Sequence, residues 1–268
     1  MRIIIKYIYN AVLWSVFIID AVVLMIINLA VFAVTYPFDT RRKVIHAFSY
    51  YWGLHYLWVN PLWKIEYLCR ANIDTKKPYV IVSNHQSMFD ICVIYKIPLV
   101  FKWVSKKEVF RIPFVGWLLM LHGDIMIKRG TTQSTKEMLK KAEAWVNKGC
   151  SISIFPEGTR SADGKIHSFR EGAFMIAKLN KLAILPVVVE GTRKMLPTRS
   201  GLFGGCATAR IHVLPEISAE TVASLKTRDL SDMLNKIMLE EHKRMVPERY
   251  LSPQGREKES ENNSRNQS

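Results

Sequence analysis

Cysteine patterns that bind metals are missing from this sequence of 268 residues. Its four cysteines are widely separated, and neither a Cys-x-x-Cys pair nor a histidine at metal-ligand spacing accompanies them. We therefore expect no metal site and interpret the cysteines as reduced thiols that fill space like small apolar residues. The apolar fraction of 49% is sufficient for one sizeable α/β domain, so two independent domains are not required.

Acidic residues are scarce relative to basic ones. The sequence has 23 Asp and Glu residues against 38 Lys and Arg residues, which gives a formal net charge of +15. Such an excess indicates an anionic partner: a phosphate-rich substrate, a negatively charged membrane surface or nucleic acid. The sequence contains no recognisable nucleic-acid-binding motif and no basic run interleaved with stacking aromatics, so we expect no nucleic-acid partner.

Charge is almost missing from the N-terminus. Between residues 3 and 36 the only formally charged residues are Lys6 and Asp20, and residues 11–34 form an apolar run of membrane length. No Ala-x-Ala cleavage pattern follows, so we expect the segment to be retained. A second, aromatic-rich segment at 50–63 is of the kind that settles at a bilayer interface. These features predict a two-helix membrane anchor that spans or enters the bilayer; the alternative is a helix buried in a soluble core.

Beyond Pro61 short apolar runs alternate with polar segments. This alternation predicts an α/β fold with a mixed, mostly parallel sheet flanked by helices, which follows the N-terminal hydrophobic helical anchor. We expect strands at residues 79–83, 99–104, 124–128, 151–155, 184–189 and 207–214. Helices are expected at residues 134–149, 169–180 and 220–246. In the first helix, Ser134 and Glu137 form a predicted capping box, and Gly149 marks its end.

The chain divides into three predicted segments. Residues 1–66 form the membrane-anchoring helices, residues 67–251 the α/β domain and residues 252–268 a polar tail. The tail has no large apolar residue, so we expect it to be disordered.

The segment VSNHQSMFD, residues 82–90, places a histidine and an aspartate where a buried strand ends. On a regular helix two positions five apart point about 140° away from each other and do not meet. A strand that ends at Ser83, a turn that holds His85, an N-cap at Ser87 and a helix whose first turn contains Asp90 bring the carboxylate to the imidazole. The carboxylate then fixes the ring tautomer, and the other ring nitrogen can accept a proton from a hydroxyl. The alternative is an ordinary helix cap with a turn histidine.

The segment FPEGTRS, residues 155–161, also follows an apolar run directly. Its glycine and small hydroxyl residues let backbone N–H groups converge on an anion, and Arg160 can bind phosphate bidentately. The alternative is a Pro/Gly turn with a solvated arginine. Further cations follow two other predicted strands: Lys106, Lys107, Lys128 and Arg129. We expect all of them at one edge of the sheet, where ligands of open α/β sheets bind.

Four motifs occur in a fixed order within residues 80–192. They are Asn84-His85-x4-Asp90, Gly123-x-x-Met126-Ile127-x-Arg129, Phe155-Pro156-Glu157-Gly158-Thr159-Arg160-Ser161 and Leu185-Pro186-Val187. Together with the segment SKKEVFRIPFVGW at 105–117, this set resembles the glycerophospholipid acyltransferase family. The second motif of that family usually has phenylalanine where this chain has Met126, from which we expect altered packing rather than lost activity.

The resemblance implies an enzyme of phospholipid synthesis. It implies acyl transfer from a fatty acyl thioester, either acyl-CoA or acyl carrier protein, to the 2-hydroxyl of 1-acyl-glycerol-3-phosphate (lysophosphatidic acid), which gives phosphatidic acid. It makes His85 the general base and Asp90 its orienting partner. The substrate-binding residues that it implies are Lys106, Arg129, Glu157, Gly158, Thr159 and Arg160. Lys107 is the alternative to Lys106, and Pro186 is implied as a structural element beside the acyl-donor site.

The expected surroundings follow from the same resemblance. No cofactor is expected besides the acyl thioester, which is a co-substrate, and the expected partners are membrane lipid, lysophosphatidic acid and the acyl donor. The expected location is the inner, cytoplasmic membrane with the catalytic domain facing the cytosol. Two alternatives stay open: a family member that acylates another lysophospholipid or a lipid amine, and a non-catalytic membrane-anchored module that binds anionic lipid or nucleic acid.

Overall fold

The computed structural model describes residues 2–128, 130–197 and 200–251. The α-helices of this part of the chain are α1 (Arg2–Thr35), α2 (Lys43–Trp58), α3 (Phe89–Ile94), α4 (Val115–His122), α5 (Thr132–Val146), α6 (Gly172–Leu179), α7 (Thr192–Met195), α8 (Ala219–Ser224) and α9 (Thr227–Met245). The strands are β1 (Trp63–Cys69), β2 (Val80–Ser83), β3 (Phe101–Lys106), β4 (Ile125–Ile127), β5 (Ser151–Ile154), β6 (Ile184–Glu190) and β7 (Ala207–Val213). The predicted tail at 252–268 lies outside the described residues.

The strands form one sheet in the order β1-β7-β6-β2-β5-β3-β4. All neighbouring pairs are parallel except β6 and β7, which are antiparallel. A helix lies between each pair of successive strands from β2 to β6, as crossovers between parallel strands require. The predicted mixed, mostly parallel α/β fold is therefore confirmed, and each predicted strand overlaps one of β2 to β7.

The burial of strand β2 explains why the central strands can be predicted from the sequence. Its residues are buried on both faces of the sheet, with Val80 and Val82 in one hydrophobic cluster and Ile81 in the other. The first cluster includes side chains of α5, α6 and α9, whereas the second includes side chains of α2 and α3. A strand covered on both faces has a continuous apolar run, which is the pattern that the sequence displays.

Strand β1 was not predicted from the sequence. It lies at the edge of the sheet and pairs with β7 alone, with Trp63 opposite Ala207. Only its first residue is buried, and the charged Lys64 and Glu66 interrupt the apolar pattern. The predicted boundary between anchor and domain, after residue 66, falls inside this strand, and the division into three segments stays a prediction.

The predicted capping box of α5 is wrong. The helix begins earlier, and the hydroxyl of Thr131 accepts the N–H of Ser134. The Ser134 hydroxyl accepts the backbone N–H of Lys128 at 2.7 Å instead. Near the predicted end, Gly149 has a φ of 75°, a left-handed conformation that favours glycine after a helix.

The single helix predicted at 220–246 is also wrong, because the chain forms α8 and α9 there. Between them Lys226 is extended, with φ −65° and ψ 152°. The ammonium group of Lys178 donates to the carbonyls of Val222, Ala223 and Leu225, which satisfies acceptors left open at the end of α8. A long-range contact thus ends a helix that the local pattern would continue.

Helix α1 is long and apolar enough to cross a membrane, with a mean hydropathy of 2.7 over its apolar window. One stripe of the helix faces the rest of the chain and contains Asn10, Leu13, Met25 and Asn28. Asp20 pairs with His55 of α2, with 2.8 Å between the carboxylate oxygen and the ring nitrogen. Asn10, Asn28 and Asp20 therefore face protein, while most of the exposed residues of the helix are apolar.

Candidate functional site

The turn between β2 and α3 brings His85 and Asp90 together in the predicted geometry. The Nδ1 atom of His85 lies 2.7 Å from an oxygen of Asp90. The histidine side chain is 14% exposed, whereas the carboxylate is fully buried. The predicted N-cap is displaced by one residue, since Met88 precedes the helix, although the Ser87 hydroxyl accepts the N–H of Phe89 at 3.4 Å.

The Asp90 carboxylate is held by further donors. The oxygen that faces His85 also accepts the backbone N–H groups of Gln86 at 2.6 Å and Ser87 at 2.8 Å. The other oxygen accepts the hydroxyl of Thr192, which is fully buried in α7. An ionised carboxylate accepts hydrogen bonds only, so this contact favours the ring tautomer that carries its proton on Nδ1. In the neutral ring, that tautomer has its lone pair on Nε2.

Aromatic stacking fixes the plane of the His85 ring. The ring lies parallel to Phe155, with 4.0 Å between centroids and an interplanar angle of 10°. Phe155 stacks in turn on Trp103, with 5.2 Å between centroids. These rings come from β3 and the end of β5, so the sheet itself sets the direction of the imidazole.

Hydrogen bonds join the histidine turn to the FPEGTRS loop. The Ser161 N–H donates to the carbonyl of His85 at 2.7 Å. The Glu157 carboxyl accepts the N–H of His85 at 3.1 Å and that of His167 at 3.4 Å. Burial raises the pKa of Glu157 from its ordinary value of 4.5 to about 8. The carboxyl group faces backbone donors of the protein, and its predicted role in substrate binding stays a prediction.

The loop after β5 makes a tight turn. Gly158 has a φ of 69°, and its N–H donates to the carbonyl of Phe155 at 3.0 Å. Thr159 is exposed and Arg160 is half-buried. Within residues 2–128, 130–197 and 200–251, the Arg160 guanidinium has no hydrogen-bond or salt-bridge partner, so its donors are open to a ligand.

The parallel strands β2, β5, β3 and β4 are neighbours in that order, so their carboxyl ends lie at one edge of the sheet. His85 follows β2, the FPEGTRS loop follows β5 and Lys106 is the last residue of β3. Adjacent strands are about 4.8 Å apart, which places the last residue of β3 about 10 Å from the end of β2. Arg129, the other predicted cation of the acceptor site, lies outside the described residues.

The fourth motif lies on the other side of β2. Pro186 is buried in β6, opposite Val82 in the register of the two strands, and its carbonyl accepts the N–H of Leu214 at 2.9 Å. Proline lacks an N–H, so it removes one donor from this strand. Its predicted place beside the acyl-donor site stays a prediction.

A cavity of about 320 Å³ opens beside β4 and the start of α5. Met126, the residue that departs from the family pattern, lines it together with Lys107, Lys128 and Lys141. Lys141 lines the cavity but is not part of any of the four motifs. It lies on α5, and only the fold brings it to the same edge of the sheet as Lys107 and Lys128.

Gln86 links the histidine turn to the C-terminal helix. Its side chain donates to Glu190 at 2.9 Å, and Glu190 also bonds His242 at 2.8 Å and both terminal nitrogens of Arg249. Burial alone would raise the pKa of Glu190, but bonds from His242, Arg249 and Gln86 outweigh it and lower the pKa to about 2. The members are scattered along the sequence, so no local pattern signals this network.

A second buried cluster supports the aromatic stack. An Asp124 oxygen accepts the N–H of Trp103 at 2.7 Å and lies 2.6 Å from Nδ1 of His122. The ammonium group of Lys102 donates to the carbonyl of His122 at 2.8 Å. Burial raises the pKa of Asp124 and lowers that of Lys102. Among the described residues no group of His, Cys, Asp and Glu side chains is arranged to hold a metal ion.

Comparison with known proteins gives the site a context. Residues 64–190, which contain both loops, match the family model described as Acyltransferase. The match covers slightly less than half of the chain. The resemblance indicated by the four motifs is thereby confirmed.

The chain is similar to curated proteins of plants, fungi and bacteria. A chloroplastic 1-acyl-sn-glycerol-3-phosphate acyltransferase of Arabidopsis thaliana is 37% identical over 67% of this chain and 49% of its own length. The enzyme of the same name from Saccharomyces cerevisiae is 34% identical, over 62% of this chain and 55% of its own. The corresponding Borreliella burgdorferi protein is 30% identical, over 61% and 65%. The chain thus spans about half the length of the first of these relatives.

A solved structure shares the fold. The crystal structure of the 1-acyl-sn-glycerophosphate acyltransferase from Thermotoga maritima superposes with a TM-score of 0.71 and covers 90% of this chain and 97% of that one. The sequence identity is 21%, so this likeness establishes the fold alone.

Proposed function

We propose that this protein transfers a fatty acyl group from an acyl thioester to the 2-hydroxyl of 1-acyl-glycerol-3-phosphate and so forms phosphatidic acid. The observation that carries the proposal is the hydrogen bond of 2.7 Å between His85 Nδ1 and Asp90, on a partly exposed ring whose Nε2 has no hydrogen-bond partner among the described residues. The similarity to several proteins named 1-acyl-sn-glycerol-3-phosphate acyltransferase supports the choice of acceptor.

The proposed chemistry is a direct transfer without an acylated enzyme. His85 Nε2 accepts the proton of the acceptor hydroxyl while the hydroxyl oxygen attacks the thioester carbonyl carbon. The new C–O bond forms, the C–S bond breaks, and the imidazolium returns its proton to the departing thiolate. Asp90, held by four donors, stabilises the imidazolium between these steps.

The FPEGTRS loop, called the cationic loop below because it carries Arg160, binds the phosphate of the acceptor in this proposal. Arg160 immediately precedes Ser161, whose N–H is bonded to the His85 carbonyl, so the guanidinium is attached close to the proposed base. A phosphate bound by Arg160, with Lys106 at the neighbouring strand end, fixes one end of the acceptor. Its hydroxyl is then presented to His85, and such positioning lowers the barrier as effectively as charge does.

The N-terminus fits a substrate that resides in a membrane. Both acyl chains are soluble in a bilayer, and α1 has the length and hydropathy to enter one. We place the protein at the inner membrane with the acyltransferase domain in the cytosol, where the basic surface adjoins anionic headgroups. Either acyl-CoA or acyl carrier protein serves as the donor in this proposal.

The test is a reconstituted transfer assay with the full-length chain. Purified protein is incubated with lysophosphatidate and either acyl-CoA or acyl carrier protein, and free thiol and phosphatidate are both quantified. We expect one phosphatidate for each thiol, and no thiol release without acceptor. Thiol release that does not depend on acceptor would indicate a thioesterase and overturn the proposal. A parallel panel of lysophospholipids and lipid amines tests the choice of acceptor, because a preferred acceptor without a terminal phosphate contradicts it.

A further inference from the structure

A second apolar surface lies beside α1, on the segment that follows β3. It consists of Ile112, Phe114, Trp117 and Met120, and is called the α4 ledge below. Ile112 is 46% exposed, Trp117 47% and Met120 53%. From Val115 to Leu121 the helix has no charged, hydroxyl or amide side chain. A surface helix of a globular protein normally has polar residues on its outer face, whereas the outer face of α4 is apolar and unsuited to contact with water.

The α4 ledge is firmly built. Gly116 donates its N–H to the carbonyl of Ile112 at 2.8 Å, and a Cβ atom at this glycine would lie 2.1 Å from the carbonyl oxygen of Phe110. Phe114 has a φ of 62°, a conformation that costs energy for a residue with a side chain. Its ring meets that of Trp117 edge to face, with 5.2 Å between centroids. The backbone thus holds large apolar side chains outward at a cost in strain.

The α4 ledge is continuous with the apolar surface of the N-terminal helices. Helix α4 packs against both α1 and α2. Arg42, in the turn between those helices, donates to the carbonyls of Met120 at 2.8 Å and Leu121 at 2.9 Å. Its guanidinium lies over the ring of Phe32, 5.4 Å from the centroid. The end of α1 is therefore tied to the end of α4, and both ends carry exposed apolar residues, Val34 on α1 and Met120 on α4.

We propose that the α4 ledge inserts into the apolar region of a lipid bilayer, as a second attachment beside α1. The lipid occupant is favoured because the ledge adjoins a helix of membrane hydropathy. Basic residues also flank it: Lys107 and Arg111 precede α4 in sequence and suit anionic headgroups. The ledge follows β3 directly, so its insertion holds the carboxyl edge of the sheet, with His85, at the lipid surface. This inference rests on association with a membrane and is independent of the proposed acyl transfer.

Fluorescence quenching tests the proposal directly. The full-length chain is reconstituted in vesicles of phosphatidylcholine and phosphatidylglycerol that carry bromine on the upper part of the acyl chains. The emission of Trp117 is obtained as the difference between the wild type and Trp117→Phe. The matched control is the difference for Trp103→Phe, because Trp103 is buried in the core and 2% exposed. We expect bromine to quench the Trp117 component and to leave the Trp103 component unchanged.

An unquenched Trp117 component would overturn the proposal. The proposal would also be overturned if unbrominated vesicles and raised protein concentration changed the Trp117 emission equally, because that result would indicate that a second copy of the chain covers the ledge. A second pair of variants keeps the test independent of one tryptophan. Met120→Glu is expected to abolish the quenching of Trp117, because it places a charge on the ledge. Ile237→Glu, on an exposed apolar residue of α9, is expected to leave it intact. Equal effects of the two variants would contradict the assignment.

Discussion

Thr192 offers a specific test of how Asp90 is positioned. Its hydroxyl donates to the Asp90 oxygen that does not face His85, and both residues are fully buried. In Thr192→Val that oxygen loses its donor and no water can replace it. Leaving a buried acceptor unsatisfied costs about 1–3 kcal/mol, and more for a charged group. The free energy of unfolding should fall by about this amount.

The same change should reduce the rate of transfer. If the whole loss were expressed in the transition state, kcat would fall roughly 5- to 150-fold, and we expect about tenfold because part of the loss also affects the ground state. Among the described residues the Thr192 hydroxyl bonds Asp90 and no residue of the FPEGTRS loop, so the KM for lysophosphatidate should change little. Steady-state thiol release at saturating acyl thioester, with acceptor concentration varied, separates the two constants.

Thr192→Ser is the matched control. It loses one buried methyl group, worth about 0.8 kcal/mol, but keeps the donor. We expect it to lose stability while retaining most of kcat. The reasoning is refuted if Thr192→Val keeps the wild-type kcat, or if valine and serine reduce kcat to the same extent.

Three further changes address the pair, the cationic loop and the buried glutamate. Asp90→Asn keeps acceptors for the backbone N–H groups but removes the charge, so kcat should fall roughly 100-fold or more, and an unchanged kcat in thiol release would count against the orienting role. Arg160→Ala should raise the KM for lysophosphatidate roughly 10- to 100-fold through loss of charge-assisted bonds, whereas Arg228→Ala, which removes an exposed charge on α9, should leave it unchanged. Burial raises the pKa of Glu157 in the folded chain to about 8, whereas its ordinary value is 4.5. Between pH 4.5 and about pH 8 the unfolded chain has therefore lost a proton that the folded chain keeps. The free energy of unfolding of the wild type should therefore fall as pH rises through this window, by at most about 1.4 kcal/mol per pH unit. Denaturation of Glu157→Gln should show a shallower fall. Parallel curves of unfolding free energy against pH for the two proteins would contradict the raised pKa.

The parts of the fold that were readable from the sequence are those set by local pattern. β2 and β6 have side chains in both hydrophobic clusters, one on each face of the sheet, so nearly continuous apolar runs mark them. β1 is an edge strand with one buried residue, and its mixed pattern gave no signal. The break between α8 and α9 depends on Lys178, which is distant in sequence, and local periodicity does not contain that information.

The same division applies to the candidate site. His85 and Asp90 are five residues apart, so strand-end and helix-start signals sufficed to bring them together. Thr192 is 102 residues from its partner Asp90, and only the sheet order brings it there. The carboxyl group of Glu157 was assigned to substrate by resemblance, yet it bonds the N–H of His85, a contact that no spacing rule predicts. Long-range pairing is set by topology, which a single sequence specifies only indirectly.

The most direct test of the central claim is the turnover number of His85→Ala. The substitution leaves in place the backbone bonds of residue 85 to Glu157 and Ser161, so the turn should keep its shape. A positioned general base typically contributes a factor of about 10²–10⁴ in rate. We therefore expect kcat for lysophosphatidate-dependent thiol release to fall by at least the lower value, about 10²-fold. A folded His85→Ala protein whose kcat lies within about tenfold of the wild type would contradict the assignment of the imidazole as the base.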